Sequence, residues 1–101
     1  MQNKQIFSIF KDFLENKNLT LSDELNNLYL KTYKNLKIDL QDEALLETIS
    51  KEDRLELLEK ISAKINVNDI NNQKIIDIFF HEITESIDYI YNLIISKQLG
   101  G

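Results

Sequence analysis

The sequence has no cysteine, no proline and no tryptophan, and glycine occurs only as Gly100 and Gly101. Without cysteine there is no disulfide framework, no thiolate metal ligand and no thiol nucleophile. Such a chain suits a reducing cytoplasm, and cytoplasmic localisation is the expectation. Without internal glycine or proline, the usual residues of tight hairpin turns are missing. That argues against a many-stranded β fold and for long uninterrupted helices. A glycine-rich phosphate loop is missing for the same reason. No apolar run approaches the ~18 residues expected of a membrane span. Met1 to Phe7 does not begin a signal peptide: Ser8, Lys11 and Asp12 break the apolar stretch, and no small-residue cleavage site follows.

What is present is Ile, Leu, Phe and Tyr in a chain of 101 residues, 43% hydrophobic and 29% charged. That length and balance fit one globular domain, residues 1–101, rather than a disordered chain. Alanine appears only as Ala44 and Ala63, and arginine only as Arg54. The heavy use of Asn, Ile and Lys reflects A/T-rich codons. A low-G+C bacterium, its phage or plasmid, or an A/T-rich parasite would fit. The many Asn residues therefore carry no functional weight.

The net charge of −5 is unevenly placed. Residues 1–38 hold six Lys against four acids, and residues 39–101 hold thirteen acids against six bases. An acidic chain repels nucleic-acid phosphate, so no nucleic-acid partner is expected. A basic protein partner is compatible, and so is simple solubility.

Helical periodicity organises the rest. Ile6, Ile9, Phe10 and Phe13 share one stripe of a first helix over about 3–16, with Asn16-Lys17-Asn18 as its stop. Thr20 with Asp23 resembles a capping box opening a second helix. Leu21, Leu25, Leu28, Thr32 and Leu36 line its inner face beside Tyr29, and Leu30 and Tyr33 point away. Leu40, Leu45, Leu46 and Ile49 can form a short extra helix near 42–49. Ser50, with Asp53 three residues on, caps a third main helix. Its inner residues are Leu58, Ile61 and Ile65, flanked by Leu55 and Leu57, and Asn66-Val67-Asn68 ends it. The fourth, over about 71–98, carries Ile76, Phe79, Phe80, Ile83, Ile87, Ile90 and Ile94 in one sector. Ile75, Ile78, Tyr89 and Leu93 widen its apolar arc beyond what one core face requires. The expected fold is all-α, an antiparallel four-helix bundle with short Asn-rich connections.

Catalytic signals are scarce. His81 is the sole histidine, and Asp77, His81 and Glu85 share a helix face while Glu82 points elsewhere. One histidine excludes a paired Glu-x-x-His di-iron site, and the second histidine of a zinc-protease motif is missing. The reading is no enzyme, no metal site and no cofactor. The acids Asp39, Asp42, Glu43, Glu47, Glu52, Asp53, Glu56 and Glu59 read as exposed helix faces, with some acids near helix N-termini, where the macrodipole favours them. They also form a candidate face for a basic partner. Gly100-Gly101 reads as a frayed end or a cloning remnant.

The layout from Ile6 to about Ile83 resembles the immunity proteins of class IIa (pediocin-like) bacteriocins. An amphipathic first helix precedes Leu28-Tyr29-Leu30-Lys31-Thr32-Tyr33-Lys34-Asn35-Leu36 on the second. A third then leads through an Asn-rich turn into the fourth. The chain departs from that family in being acidic and in lacking a tail after the last helix. The resemblance implies protection of a producer cell through a membrane-receptor complex, without catalysis.

The expected function is stoichiometric protein binding of immunity or inhibitor type, including phage inhibitors of host machinery. The alternative is a homodimerising assembly module, paired through the fourth helix, or a secretion chaperone. Candidate contact residues from helical projection are Leu30, Tyr33, Ile78, Tyr89, Tyr91 and Ile95, with the acids Glu43, Glu47, Glu52 and Glu56.

Overall fold

The computed structural model describes residues 5–66, 68 and 71–99, except the side chain of residue 99. The expectations for Val67 and for Gly100-Gly101 lie outside those residues. Five helices follow one another: α1 (Gln5–Asn16), α2 (Asp23–Asn35), α3 (Leu40–Glu47), α4 (Lys51–Ala63) and α5 (Asn72–Leu99). The protein is an all-helical bundle, and α3 is the extra short helix. It begins two residues before the expected start at Asp42. No described helix is long and apolar enough to cross a membrane.

Local chemistry sets the boundaries. Asn18 has φ 56°, the left-handed turn that ends α1, as the Asn-Lys-Asn signal predicts. With no glycine at hand, Lys37 takes the same conformation between α2 and α3, at a cost of roughly 1–2 kcal/mol. The cap of α2 is Ser22, not Thr20: its Oγ accepts from the Leu25 N–H at 3.1 Å. Leu21, the one residue between them, stays outside the helix. The reciprocal capping box belongs to α3. Asp39 Oδ1 accepts from the Asp42 N–H at 2.9 Å, and Asp42 Oδ2 accepts from the Asp39 N–H at 3.1 Å. Ser50 caps α4 as expected, accepting from the Asp53 N–H at 3.1 Å.

α5 is the spine. It packs against α2, α3 and α4, while α1 packs against α3 and α4. The core is aromatic at its centre. The Phe10 ring lies 4.8 Å from that of Phe79, and the Tyr29 ring lies 5.0 Å from both Phe10 and Phe80. Leu57, Leu58 and Ile61 of α4 and Leu46 of α3 close the layer. Some positions expected to face inward are exposed: Leu36, which is the C-cap of α2, Leu40, the first residue of α3, Leu55, in the second turn of α4, and Ile94, near the end of α5. The sole arginine joins helices, for Arg54 of α4 donates to Asp12 and Ser8 of α1.

Glu43 is the main correction. Expected on an exposed acidic face, it is 1% exposed. Its Oε1 accepts from the Ile6 N–H at 2.9 Å, and its Oε2 accepts from the Tyr33 hydroxyl at 2.8 Å. Ile6 lies in the first turn of α1, where backbone N–H groups have no partner within the helix. A carboxyl group from α3 therefore supplies a partner for the start of α1, with the sign the macrodipole favours. Tyr33 is half-buried by this bond rather than pointing away, and Ile78 is half-buried against the core.

Tyr29 and Tyr33 sit one turn apart and differ in one respect. The Tyr33 hydroxyl is bonded, and the Tyr29 hydroxyl is buried with no partner among the described residues. Tyr33→Phe is expected to lower stability by about 1 kcal/mol, and Tyr29→Phe to leave it unchanged or raise it by up to ~1 kcal/mol. Urea unfolding of the two variants reads the difference. Equal losses in both would contradict this assignment.

Candidate functional site

Helix length creates the site. At 1.5 Å per residue, the 28 residues of α5 run about 42 Å, against roughly 12–20 Å for each of its neighbours. Short helices cannot cover a long one. The buried positions of α5 end at Ile87, and beyond it Ile90 and Tyr91 are only half-covered. The last described tie is the Tyr91 hydroxyl, which donates to Asp42 Oδ1 of α3 at 3.3 Å. Further along, Leu93, Ile94 and Ile95 are 43%, 39% and 50% exposed, and one turn before them Tyr89 is 64% exposed.

An open groove of about 1040 Å³ lies between this part of α5 and α3–α4. Leu46, Ile49, Leu57, Ile90, Leu93 and Ile94 supply its apolar lining. Asp53 and Glu56 flank it from α4, and Glu85 and Asp88 from α5. Such a surface offers apolar contact and negative charge, with no enclosed chamber.

The predicted contact residues divide accordingly. Tyr89 and Glu56 line the groove, and Ile95 is exposed on the same end of α5. Leu30 is exposed on α2, outside the groove, and Glu47 and Glu52 are exposed but do not line it. Glu47 Oε1 accepts from Gln5 Nε2 at 3.4 Å. Glu43, Tyr33, Tyr91 and Ile78 are engaged within the fold. Helical projection left Leu93 and Ile94 off the contact residues, because it placed Ile94 in the inner sector and Leu93 in the widened arc of the fourth helix, although the 89–95 segment reads equally as core or as a dimer or partner surface. The readable signal was the length of that helix compared with the others.

One metal-capable group occurs among the described residues: ligand atoms of His81, Glu82 and Glu85 come within 4.8 Å of one another. Glu82 thus joins His81 and Glu85, contrary to the projection that placed it elsewhere. Its buried carboxylate already meets an ammonium group, Lys64 Nζ, at 2.7 Å. His81 Nε2 and Glu85 Oε1 pair at 2.9 Å across one exposed turn. A divalent cation taking Glu82 as its third ligand would compete with the Lys64 ammonium for the charge of that carboxylate.

No protein family, curated protein or solved structure matches the chain.

Three phenols in and beside this region resist ionisation. Burial raises Tyr29, with the charge of Glu43 adding. Burial raises Tyr33, reinforced by its hydrogen bond to Glu43. Desolvation raises Tyr91, with Asp42 adding. Lys64 is raised by its hydrogen bond to Glu82. Each group keeps its proton in the native state at a pH where the unfolded chain loses it. Their contribution is therefore complete below pH ~10, where unfolded tyrosine begins to ionise, and declines as pH rises further. Urea midpoints are expected to fall above that pH. Absorbance of the native protein near 295 nm should show fewer than the four phenolates that the sequence permits. Full ionisation of all four while the protein stays folded would contradict the burial of Tyr29.

Proposed function

We propose that the protein is a non-catalytic binding module that acts by stoichiometric association with another protein. The partner docks on the C-terminal half of α5. One observation carries this reading. Of eight large exposed apolar residues among those described, four lie between Tyr89 and Ile95. Scattered apolar side chains on a surface are ordinary, but a cluster of this kind marks a contact surface. The absence of cysteine and the single histidine support a non-catalytic role. The layout resemblance to bacteriocin immunity proteins supports an immunity or inhibitor subtype, with a membrane-associated receptor complex as target.

A second reading is a homodimer or assembly module. Asp88 and Lys97 flank the exposed stretch, so an antiparallel pairing of two α5 helices would bring opposite charges together.

Leu93→Glu combined with Ile95→Glu tests both. These residues are exposed, so far-UV circular dichroism and thermal unfolding should be unchanged. The wild-type protein is expected to recover a protein partner from extracts of its source cells, and the two purified proteins to form a 1:1 complex that the variant loses. Sedimentation of the wild type alone reads the second reading. A dimer lost in the variant would support it and displace the first, while undiminished complex formation by the variant would overturn both.

A further inference from the structure

The groove between α4 and α5 has a chemistry of its own, and it narrows the class of occupant. Its lining carries the carboxylates of Asp53, Glu56, Glu82, Glu85 and Asp88 but only the ammonium groups of Lys60 and Lys97. Glu82 is partnered by Lys64 and Glu85 meets His81, which leaves Asp53, Glu56 and Asp88 as carboxylates without a described ion pair, and the lining acidic by five carboxylates to two ammonium groups. We infer that the groove receives a basic amphipathic helix of the partner protein, apolar side chains inward and Lys or Arg outward over Asp53, Glu56 and Asp88. The inference rests on the protein-binding reading above and specifies what binds.

The dimensions agree. From Glu82 to Lys97 the α5 wall of the groove is sixteen residues long, about 24 Å, which matches four turns of a docked helix. Helix-in-groove recognition uses apolar anchors at i, i+3 or i+4 and i+7. Ile90, Leu93 and Ile94 offer the accessible apolar contact along α5 and Ile49 faces them from the end of α3, while Leu46 and Leu57 form the buried floor. A second copy of this chain is a poorer occupant. Its own exposed α5 stretch brings one Asp and one Lys, hence no net positive charge to set against the rim. A nucleic acid or an anionic lipid surface would meet the carboxylates with like charge.

The test uses the full chain and a labelled eighteen-residue peptide of Leu and Lys only, with Leu at helical spacing. A peptide with every Lys replaced by Glu is the control. The Leu/Lys peptide is expected to bind saturably at 1:1, with amide shifts confined to residues 46–60 and 82–97. Glu56→Lys with Asp88→Lys should weaken it by about tenfold. Glu15→Lys with Glu24→Lys, charge reversals at exposed positions outside the groove lining, should leave affinity within about twofold. No saturable binding, equal binding of the Leu/Glu peptide, shifts elsewhere, or equal loss in both double variants would each overturn the inference. The Leu93→Glu/Ile95→Glu experiment separates the two claims. If its complex forms and is lost while the peptide fails, protein binding stands and the basic helix falls. If neither complex nor peptide binds, both fall.

Discussion

The length of α5 is the constraint on which the rest depends. A helix of about 42 Å cannot be covered by neighbours of 20 Å or less, so it must play two parts. The part up to Ile87 holds Ile75, Ile76, Phe79, Phe80, Ile83 and Ile87 in the core. The rest continues the same apolar pattern past the end of the bundle. The long dimension of the molecule, 48 Å against 27 and 21 Å, follows from this one helix. The candidate binding surface is the part of a core helix that the core does not reach.

A small set of polar contacts adds to the apolar core in fixing the short helices around that spine. Glu43 joins α3 to the start of α1 and to Tyr33 of α2. Arg54 ties α4 to α1, and Tyr91 ties α5 to α3. A buried carboxyl group is costly unless its oxygens are bonded. Glu43 meets that condition with one backbone and one side-chain donor. The acidic stretch 39–59 is therefore not one kind of surface. Asp39 and Asp42 cap a helix, Glu43 is internal, and Glu56 with Asp53 faces the groove.

Much of the architecture was legible in local patterns. The period of Ile6, Ile9, Phe10 and Phe13 placed their stripe inward, and all four are buried. Ser50 before Asp53 marked a helix start because a short hydroxyl side chain can reach the backbone three residues on. Ser22 was missed in favour of Thr20, for both offer the same hydroxyl chemistry and only the chain path selects between them. Leu36 and Leu55 were misplaced because periodicity gives a face, not whether a neighbour covers it.

The sequence by itself determined that the protein is helical, where its helices lie to within a few residues, and which stripes turn inward. These depend on contacts three or four residues apart, so local chemistry suffices. Tertiary structure alone decided that Glu43 is a buried acceptor rather than a surface charge, because its donors lie 37 and 10 residues away. It also decided that Leu93, Ile94 and Ile95 stand exposed while Ile83 and Ile87 do not. The residue types are alike along α5, and what differs is where the neighbouring helices end.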